Sequence, residues 1–291
     1  MPVVFSRPFR VRYYECDASG HLNHVNYLHY METAALEASA AVGYDQQKYE
    51  EMARIWLIRG SSIEYLQPLF SGDEVEVHTW VENFRRVQSR RQYEFRRPAD
   101  GSLAARGHTD WAFLHAESHR PVAIPPEMQA AFMPEGQPEG TPVLDRFPAP
   151  PPEPAGTFTL PQPVQWRDVD PTQHVNNAVY LAYMENAGMG VLEAHGWSMA
   201  RCWAEGFSLV ARHYQIDYQR QATLDDDLEI ATWLSDRKRA TAVRHYRISR
   251  VSDGAVISRG RCLWVWIDLT TQRPIRIPAQ FATDFAPNFA D

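Results

Sequence analysis

Residues Asp168 to Ala187 read DVDPTQHVNNAVYLAYMENA, and Glu15 to Ala34 read ECDASGHLNHVNYLHYMETA. Each stretch sets an aspartate (Asp170, Asp17), then a histidine (His174, His21), then an asparagine (Asn176, Asn23) ahead of a run whose apolar residues recur at helical spacing. The asparagines are placed to cap that helix, because an Asn oxygen accepts from the exposed N–H groups of a first turn. An aspartate six residues earlier can fold back to face the helix N-terminus. That end carries partial positive charge and unpaired donors, which hold an anion or stabilise the oxygen of a carbonyl under attack. A carboxylate beside an oxyanion site is equipment for acyl transfer. His21 and His174 have two readings, one orienting water or the carboxylate and one purely structural. The spacing in HLNH invites a metal, but the second copy has Asn177 in place of His24 and supplies no acid or cysteine cluster, so no metal is expected. Glu15 and Asp168, two residues before the main aspartates, read as solvated or salt-bridged side chains.

The two stretches are parts of a longer duplication. An offset of 153 residues carries Phe9 through Pro125 onto Gln162 through Pro278 without a gap. Beyond the loop it matches Gly43 with Gly196, Tyr65 with Tyr218, Trp80 with Trp233, Tyr93 with Tyr246 and Trp111 with Trp264. Between the copies, MPEGQPEGTPVLDRFPAPPPEPAG is rich in proline and glycine and reads as an extended connector. The expected organisation is a first domain at 1–132, a linker at 133–156 and a second domain at 157–291.

Within a copy the periodicity changes in a fixed order. FRVRYY and PVQWR look like short strands, and the helical run follows the polar loop, with Ala and Gly lining its inner face beyond the aromatic turn. Alternating runs come next, including DEVEVHTWVENF, and Asp-Gly pairs at Asp100–Gly101 and Asp253–Gly254 mark hairpins. The prediction is an α+β chain in which strand, loop, long helix and antiparallel sheet occur twice.

Composition bounds the function. A chain of 291 residues suits two domains, and 44% apolar residues with 9 tryptophans calls for real cores. A formal charge of −7 argues against binding nucleic acid by phosphate neutralisation. Cys16, Cys202 and Cys262 are odd in number and none matches another across the repeat, which suggests a reducing cytoplasm. The N-terminal stretch lacks a signal-like apolar core, and no window of about 18 uninterrupted apolar residues targets a membrane.

The motifs YYECDASGHLNHVNYLHYMETA and WRDVDPTQHVNNAVYLAYMENA resemble those of the hotdog-fold thioesterases, in the branch of 4-hydroxybenzoyl-CoA thioesterase and related acyl-CoA thioesterases. The second copy also resembles acyl-ACP thioesterases, which are themselves tandem hotdogs. The resemblance covers nearly all the chain outside the connector. It implies an antiparallel sheet wrapped around a long central helix in each copy, and an intramolecular pseudo-dimer of the two. It further implies that Asp17 and Asp170 match the catalytic carboxylate. By the same resemblance, backbone N–H groups near His24 and Asn177 match the donors that polarise the thioester carbonyl. Direct attack by Asp and water held by Asp are both open. The reaction needs no cofactor beyond the coenzyme A carried by the substrate, and the partner is an acyl-CoA or acyl-ACP thioester. Further association of such pairs into homo-oligomers is an expectation from the family.

Coenzyme A carries phosphates, and the runs RRVQSRR and DRKRATAVRHYR supply Arg85, Arg86, Arg90, Arg91, Lys238, Arg239 and Arg244 as candidate contacts, against the plainer reading of a solvated sheet face. Two other functions compete. A hotdog hydratase also uses Asp and His in one loop, but with four residues between them, whereas three separate Asp17 from His21 and Asp170 from His174. A non-catalytic acyl-thioester sensor would keep the pocket alone.

Overall fold

The first unit, Met1–Arg146, strings together β1 (Phe5–Arg10), α1 (His24–Ala41), α2 (Gln46–Glu51), β2 (Arg54–Tyr65), β3 (Glu74–Phe84), β4 (Gln88–Arg96), β5 (Leu103–His115) and α3 (Pro126–Phe132). The computed structural model describes residues 1–137 and 146–290. Its strands pair antiparallel in the order β1-β3-β4-β5-β2. In β3, Val75, Val77, Thr79 and Val81 are buried while their neighbours are not, as the period of two requires. Burying each such valine is worth roughly 1.5–3 kcal/mol.

Helix α1 lays Tyr27, Leu28, Tyr30, Met31, Ala34, Ala35 and Ala38 on β1 and β3. The small alanine side chains let the sheet close over the helix beyond its first two turns. A second cluster, holding Tyr44, Phe84, Phe113, Met128 and Phe132, forms where α3 folds back. The short helices α2 and α3 have no counterpart in the periodicity reading, because six or seven residues are too few to show a repeat. Asp45 marks the start of α2 by accepting from the Lys48 N–H at 2.8 Å, and proline opens α3.

The second unit, Phe147–Asp291, repeats the plan with β6 (Phe158–Pro163), α4 (Val179–Ala194), α5 (Met199–Ala204), β7 (Phe207–Tyr218), β8 (Asp227–Ser235), β9 (Thr241–Arg250), β10 (Val256–Asp268) and α6 (Ala279–Asp284). Its sheet runs β6-β8-β9-β10-β7, antiparallel throughout. Every strand begins 153 residues after its counterpart, the offset read from the sequence. Edge strand β6, FTLPQP, carries two prolines where β1, FSRPFR, carries one.

Residues 138–145 of the expected connector at 133–156 lie outside the described residues. On the near side, the Gln137 side-chain oxygen accepts from the Phe84 N–H at 2.7 Å. On the far side, Arg247 forks onto Glu153 at 2.6 and 3.1 Å, and Asn288 donates to the Gly156 carbonyl at 3.0 Å. Among the described residues no helix is long and apolar enough to cross a membrane.

Matching glycines, Gly107 in β5 and Gly260 in β10, sit where a side chain has no room, but the obstacles differ. A Cβ on Gly107 would overlap the Ser62 backbone carbonyl of β2, whereas one on Gly260 would meet the flexible end of Met184. Gly107→Ala should therefore destabilise the first unit by about 2–3 kcal/mol, and Gly260→Ala should cost the second unit less than about 1.5 kcal/mol. Thermal melts of the two variants compare them directly. Equal shifts would contradict the backbone-against-side-chain distinction.

Candidate active site

In each unit the polar loop is a closed turn wedged between a short 3-10 turn and the long helix. Residues Tyr13–Glu15 and Trp166–Asp168 form the 3-10 turns. The Asp17 N–H then donates to the His21 carbonyl at 2.8 Å and the Gly20 N–H to the Asp17 carbonyl at 2.9 Å, with matching bonds at Asp170, His174 and Gln173 of 3.0 and 2.9 Å. The turn needs a left-handed residue at its fourth position, where Gly20 has φ +80° and Gln173 φ +65°. Glutamine bears there a conformational cost of about 1–2 kcal/mol that glycine does not.

Both aspartates are half-buried. Asp17 Oδ1 accepts from the N–H groups of Ser19 at 2.8 Å and His21 at 3.2 Å. Asp170 Oδ1 accepts from the Thr172 N–H at 2.8 Å and from its hydroxyl, while Oδ2 takes the Asn176 side-chain amide at 3.4 Å. One carboxylate oxygen is thus spent on the turn, and in the second unit the other looks toward the helix entrance. Thr172 stands between Asp170 and the His174 ring, 3.4 Å from Nδ1. In the first unit the His21 ring instead packs edge-on against Phe70, with centroids 5.2 Å apart.

Asn23 caps α1 by accepting from the Val25 N–H at 2.9 Å. Asn176 makes the same bond to the Ala178 N–H at 2.9 Å, but α4 is assigned from Val179, so Asn176 and Asn177 belong to the turn that leads into it and not to the helix boundary expected for them. The turn that enters each helix is closed by the same bond. The Val179 N–H reaches the Asn176 carbonyl at 3.0 Å, just as Asn26 reaches Asn23 at 3.0 Å. The carbonyls of His24 and Asn177 accept from the hydroxyls of Tyr65 at 3.4 Å and Tyr218 at 2.9 Å.

Glu15 and Asp168 are buried rather than solvated, and the salt-bridged reading holds, with Arg12 at 3.4 Å from Glu15 and Arg167 at 4.0 Å from Asp168. Glu15 Oε2 accepts from the Tyr30 hydroxyl at 2.6 Å and the Arg12 N–H at 2.7 Å. Asp168 Oδ2 accepts from the Tyr183 hydroxyl at 2.7 Å and the Gln165 N–H at 2.9 Å. Burial, reinforced by the adjacent carboxylate, drives both phenols far above their ordinary pKa, so each remains a donor. The matching of Tyr30 with Tyr183 across the repeat is the sequence signal for this clamp. Tyr27 and Tyr180 act nearby: burial pushes Tyr180 up to about 12, and its oxygen accepts from the Ala222 N–H at 3.2 Å.

The phosphate candidates divide. Arg85, Arg86, Lys238 and Arg239 are exposed. Arg90, Arg91 and Arg244 are buried and leave the set. Arg90 forks onto Asp110 at 2.7 and 2.9 Å. Arg91 lies over the Phe132 ring at 5.4 Å and reaches Thr79 Oγ1 at 3.4 Å, and Arg244 repeats this with Phe285 at 5.9 Å and Thr232 at 3.4 Å. The reason is strand alternation, which puts Arg91 on the inner face with Tyr93 and Phe95, and Arg244 with Tyr246 and Ile248. Beside Arg244, the His245 ring stacks on Trp233 and sits 2.7 Å from Ser235 Oγ. Burial, with Arg261 and Arg244 adding and Asp236 opposing, pushes His245 down to about 4.

Residues 11–132 and 164–285 each match the model of a family described as the thioesterase-like superfamily. A chloroplastic palmitoyl-acyl carrier protein thioesterase of Gossypium hirsutum is 25% identical over 280 residues, which are 90% of this chain and 64% of that protein, so the chain spans less than two thirds of that relative. The acyl-CoA thioester hydrolase YbgC of Escherichia coli O6:H1 is 28% identical over 128 residues, covering 44% of this chain and 95% of that protein. Among solved structures, the 12:0-ACP thioesterase from Umbellularia californica shares the fold, with a TM-score of 0.73 at 20% identity over 90% of this chain and 93% of that one.

Two outcomes are expected. Tyr30→Phe should destabilise the first unit by about 1–3 kcal/mol, because it strips a donor from a buried carboxylate, and denaturant unfolding measures this. A wild-type midpoint would show that the bond contributes nothing. His245 titrates with a depressed folded pKa, so the stability of its neutral form is complete above the ordinary value of 6.5 and is lost as pH falls toward 4. Gln92 fills the matching position in the first unit. His245→Gln should therefore flatten the fall in melting temperature between pH 6.5 and 4, and an unchanged slope would exclude His245 as its source.

Proposed function

The chain belongs to the thioesterase-like superfamily, and we propose that it hydrolyses acyl thioesters, with coenzyme A as the released thiol and Asp17 and Asp170 as the catalytic carboxylates. The observation that carries this reading is a half-buried aspartate fixed by its own turn at the entrance of a long helix, present twice. With Oδ1 held by the turn, Oδ2, which in Asp170 also takes the Asn176 amide at 3.4 Å, is the oxygen that would hold a water or attack the thioester carbon. N–H donors at the start of the helix near His24 and Asn177 would take the charge developing on the carbonyl oxygen. In the water route, the C–O bond forms as the carboxylate accepts a proton. The C–S bond then breaks, and the thiolate leaves with that proton as free thiol. In the direct route an Asp oxygen attacks the carbonyl carbon and the C–S bond breaks, giving a mixed anhydride and a thiolate; water then opens the anhydride, freeing the acid and the aspartate, and gives a proton to the thiolate. His174, bridged to Asp170 through Thr172, would orient the carboxylate.

Relatives named for acyl carrier protein and for coenzyme A both align with the chain. A panel of acyl-CoA and acyl-ACP substrates with a thiol-trapping dye tests the thiol directly, and faster turnover of the carrier-protein substrates would overturn the choice of coenzyme A. Asp17→Asn and Asp170→Asn should each remove part of the activity, and the double variant should fall by about 10²–10⁴-fold. Full thiol release by the double variant would exclude both carboxylates.

A further inference from the structure

Inside the two units, one polar cluster is satisfied and its counterpart is not. In the first, the Thr109 hydroxyl is the meeting point, 3.0 Å from the Tyr93 hydroxyl and accepting from the Trp111 N–H at 2.6 Å. The offset of 153 keeps the two aromatic residues as Tyr246 and Trp264 but puts Cys262 in the place of the threonine. Tyr246 is 1% exposed and Trp264 6%, and neither the hydroxyl nor the indole N–H meets a partner in hydrogen-bonding geometry among the described residues. Buried polar groups are normally satisfied, so two unmet ones in one patch call for an acceptor from outside the chain.

The patch is contiguous. Arg244 and Tyr246 are alternate residues of β9, and across the register they lie opposite Cys262 and Gly260 of β10, with Trp264 two residues beyond Cys262. From the other side Tyr214 of β7 pairs with Cys262, its ring centroid 6.4 Å from those of both Tyr246 and Trp264. Helix α4 covers this patch with a glycine where the first unit has Ala35. A Cβ on Gly188 would lie 3.3 Å from the Tyr246 hydroxyl and, outside its own stretch of helix, within 4 Å of no other atom of the described residues. A buried position in a filled core touches many neighbours, so helix and sheet are loosely packed beside that hydroxyl.

Arg244 sets the charge of what would fit. The groups that act on its guanidinium are the Tyr246 and Tyr214 phenols and the Cys262 thiol, with no carboxylate among them. Burial pushes all three up, so they stay neutral and leave the cation uncompensated. Glu185 of α4 acts on Tyr214 and Cys262 but not on Arg244. Arg91 is equally without an acid in the first unit, so the cation alone marks no site; the second unit adds the unmet hydroxyl, the unmet N–H and the glycine. We propose that this patch binds the carboxylate of an organic acid, held by the Arg244 guanidinium, the Tyr246 hydroxyl and the Trp264 N–H. A phosphate dianion would call for a second cation, whereas one guanidinium among aromatic rings suits a carboxylate on an apolar body. That carboxylate belongs to a free acid or to the far end of an acyl chain, and its binding does not depend on the thioesterase reading.

The test uses the full chain and two variants, Cys262→Thr, which restores the meeting point of the first unit, and Gly188→Ala, which fills the space. Cys262→Thr should melt no lower than the wild type; if it does, Gly188→Ala carries the comparison. Calorimetry with hexanoate should show a site that weakens about tenfold in each variant, and hexanol, the uncharged control, should bind at least about tenfold more weakly than hexanoate. No hexanoate binding, equal binding by the wild type and both variants, or hexanol binding as tightly as hexanoate would overturn the proposal. Hydrolysis of adipoyl-CoA, whose chain ends in a carboxylate, is then compared with that of hexanoyl-CoA. A kcat/KM that falls about tenfold in the variants for adipoyl-CoA alone supports the site with the far end of the acyl chain as its source. An unchanged ratio with weakened hexanoate binding supports it with a free acid as the source. Because calorimetry needs no turnover, hexanoate binding by a chain that hydrolyses no thioester would sink the thioesterase reading and leave this site standing.

Discussion

A buried carboxylate bonded to a buried tyrosine hydroxyl holds each copy of this chain in working order. Glu15 meets Tyr30, and Asp168 meets Tyr183, across fifteen residues of sequence. The loop between them is largely polar, with Leu22 and Val175 as its buried apolar residues. The helix it enters is apolar and fixed by the sheet. Besides the clamp, the loop is held by the asparagine, by its turn hydrogen bonds and by the N–H groups of Leu22 and Val175, which donate to the Leu69 and Ala222 carbonyls at 2.7 and 2.9 Å. With the clamp, the Glu15 carbonyl is also placed to accept from the Asn23 N–H at 2.9 Å and the Asn26 side chain at 2.8 Å. The clamp thus anchors the chain two residues before Asp17. Burial is tolerable because each lost water contact is replaced by a short bond from a phenol or a backbone N–H.

The duplication separates what the fold requires from what each copy has added. Both copies keep the aspartate in its turn, the asparagine at the helix entrance, the phenol clamp and even a buried arginine over a phenylalanine ring. They differ at the fourth turn position, Gly20 against Gln173, and at the cations of the first strand. The shared features are short-range and geometric, whereas the differing ones lie where solvent or a ligand meets the surface.

Much of the fold is legible in the residues. Val75, Val77, Thr79 and Val81 announce β3 by alternation, the offset fixes where every strand of the second unit starts, and Asn23 announces its helix. The rest is hidden for identifiable reasons. Arg91 and Arg244 look like members of basic runs, and only their alternation with Tyr93 and Tyr246 reveals that they point inward. Glu15 cannot be read as buried without its partner a helix away. Arg7, Arg10 and Arg12 are spread over a strand and a turn and form no run, so their convergence on one groove is a property of the fold. Helices α2 and α3 are too brief to show a period, and tertiary packing rather than pattern decides them.

The prolines of β6 bear on how the chain behaves in crowded solution. Pro161 and Pro163 have no N–H to offer, so the outer margin of the second sheet is poor in the donors that an incoming extended segment would need. Such a margin resists templated growth into fibrils and limits exchange of strands between molecules. The first sheet's margin, with Pro8 alone, keeps more of that capacity.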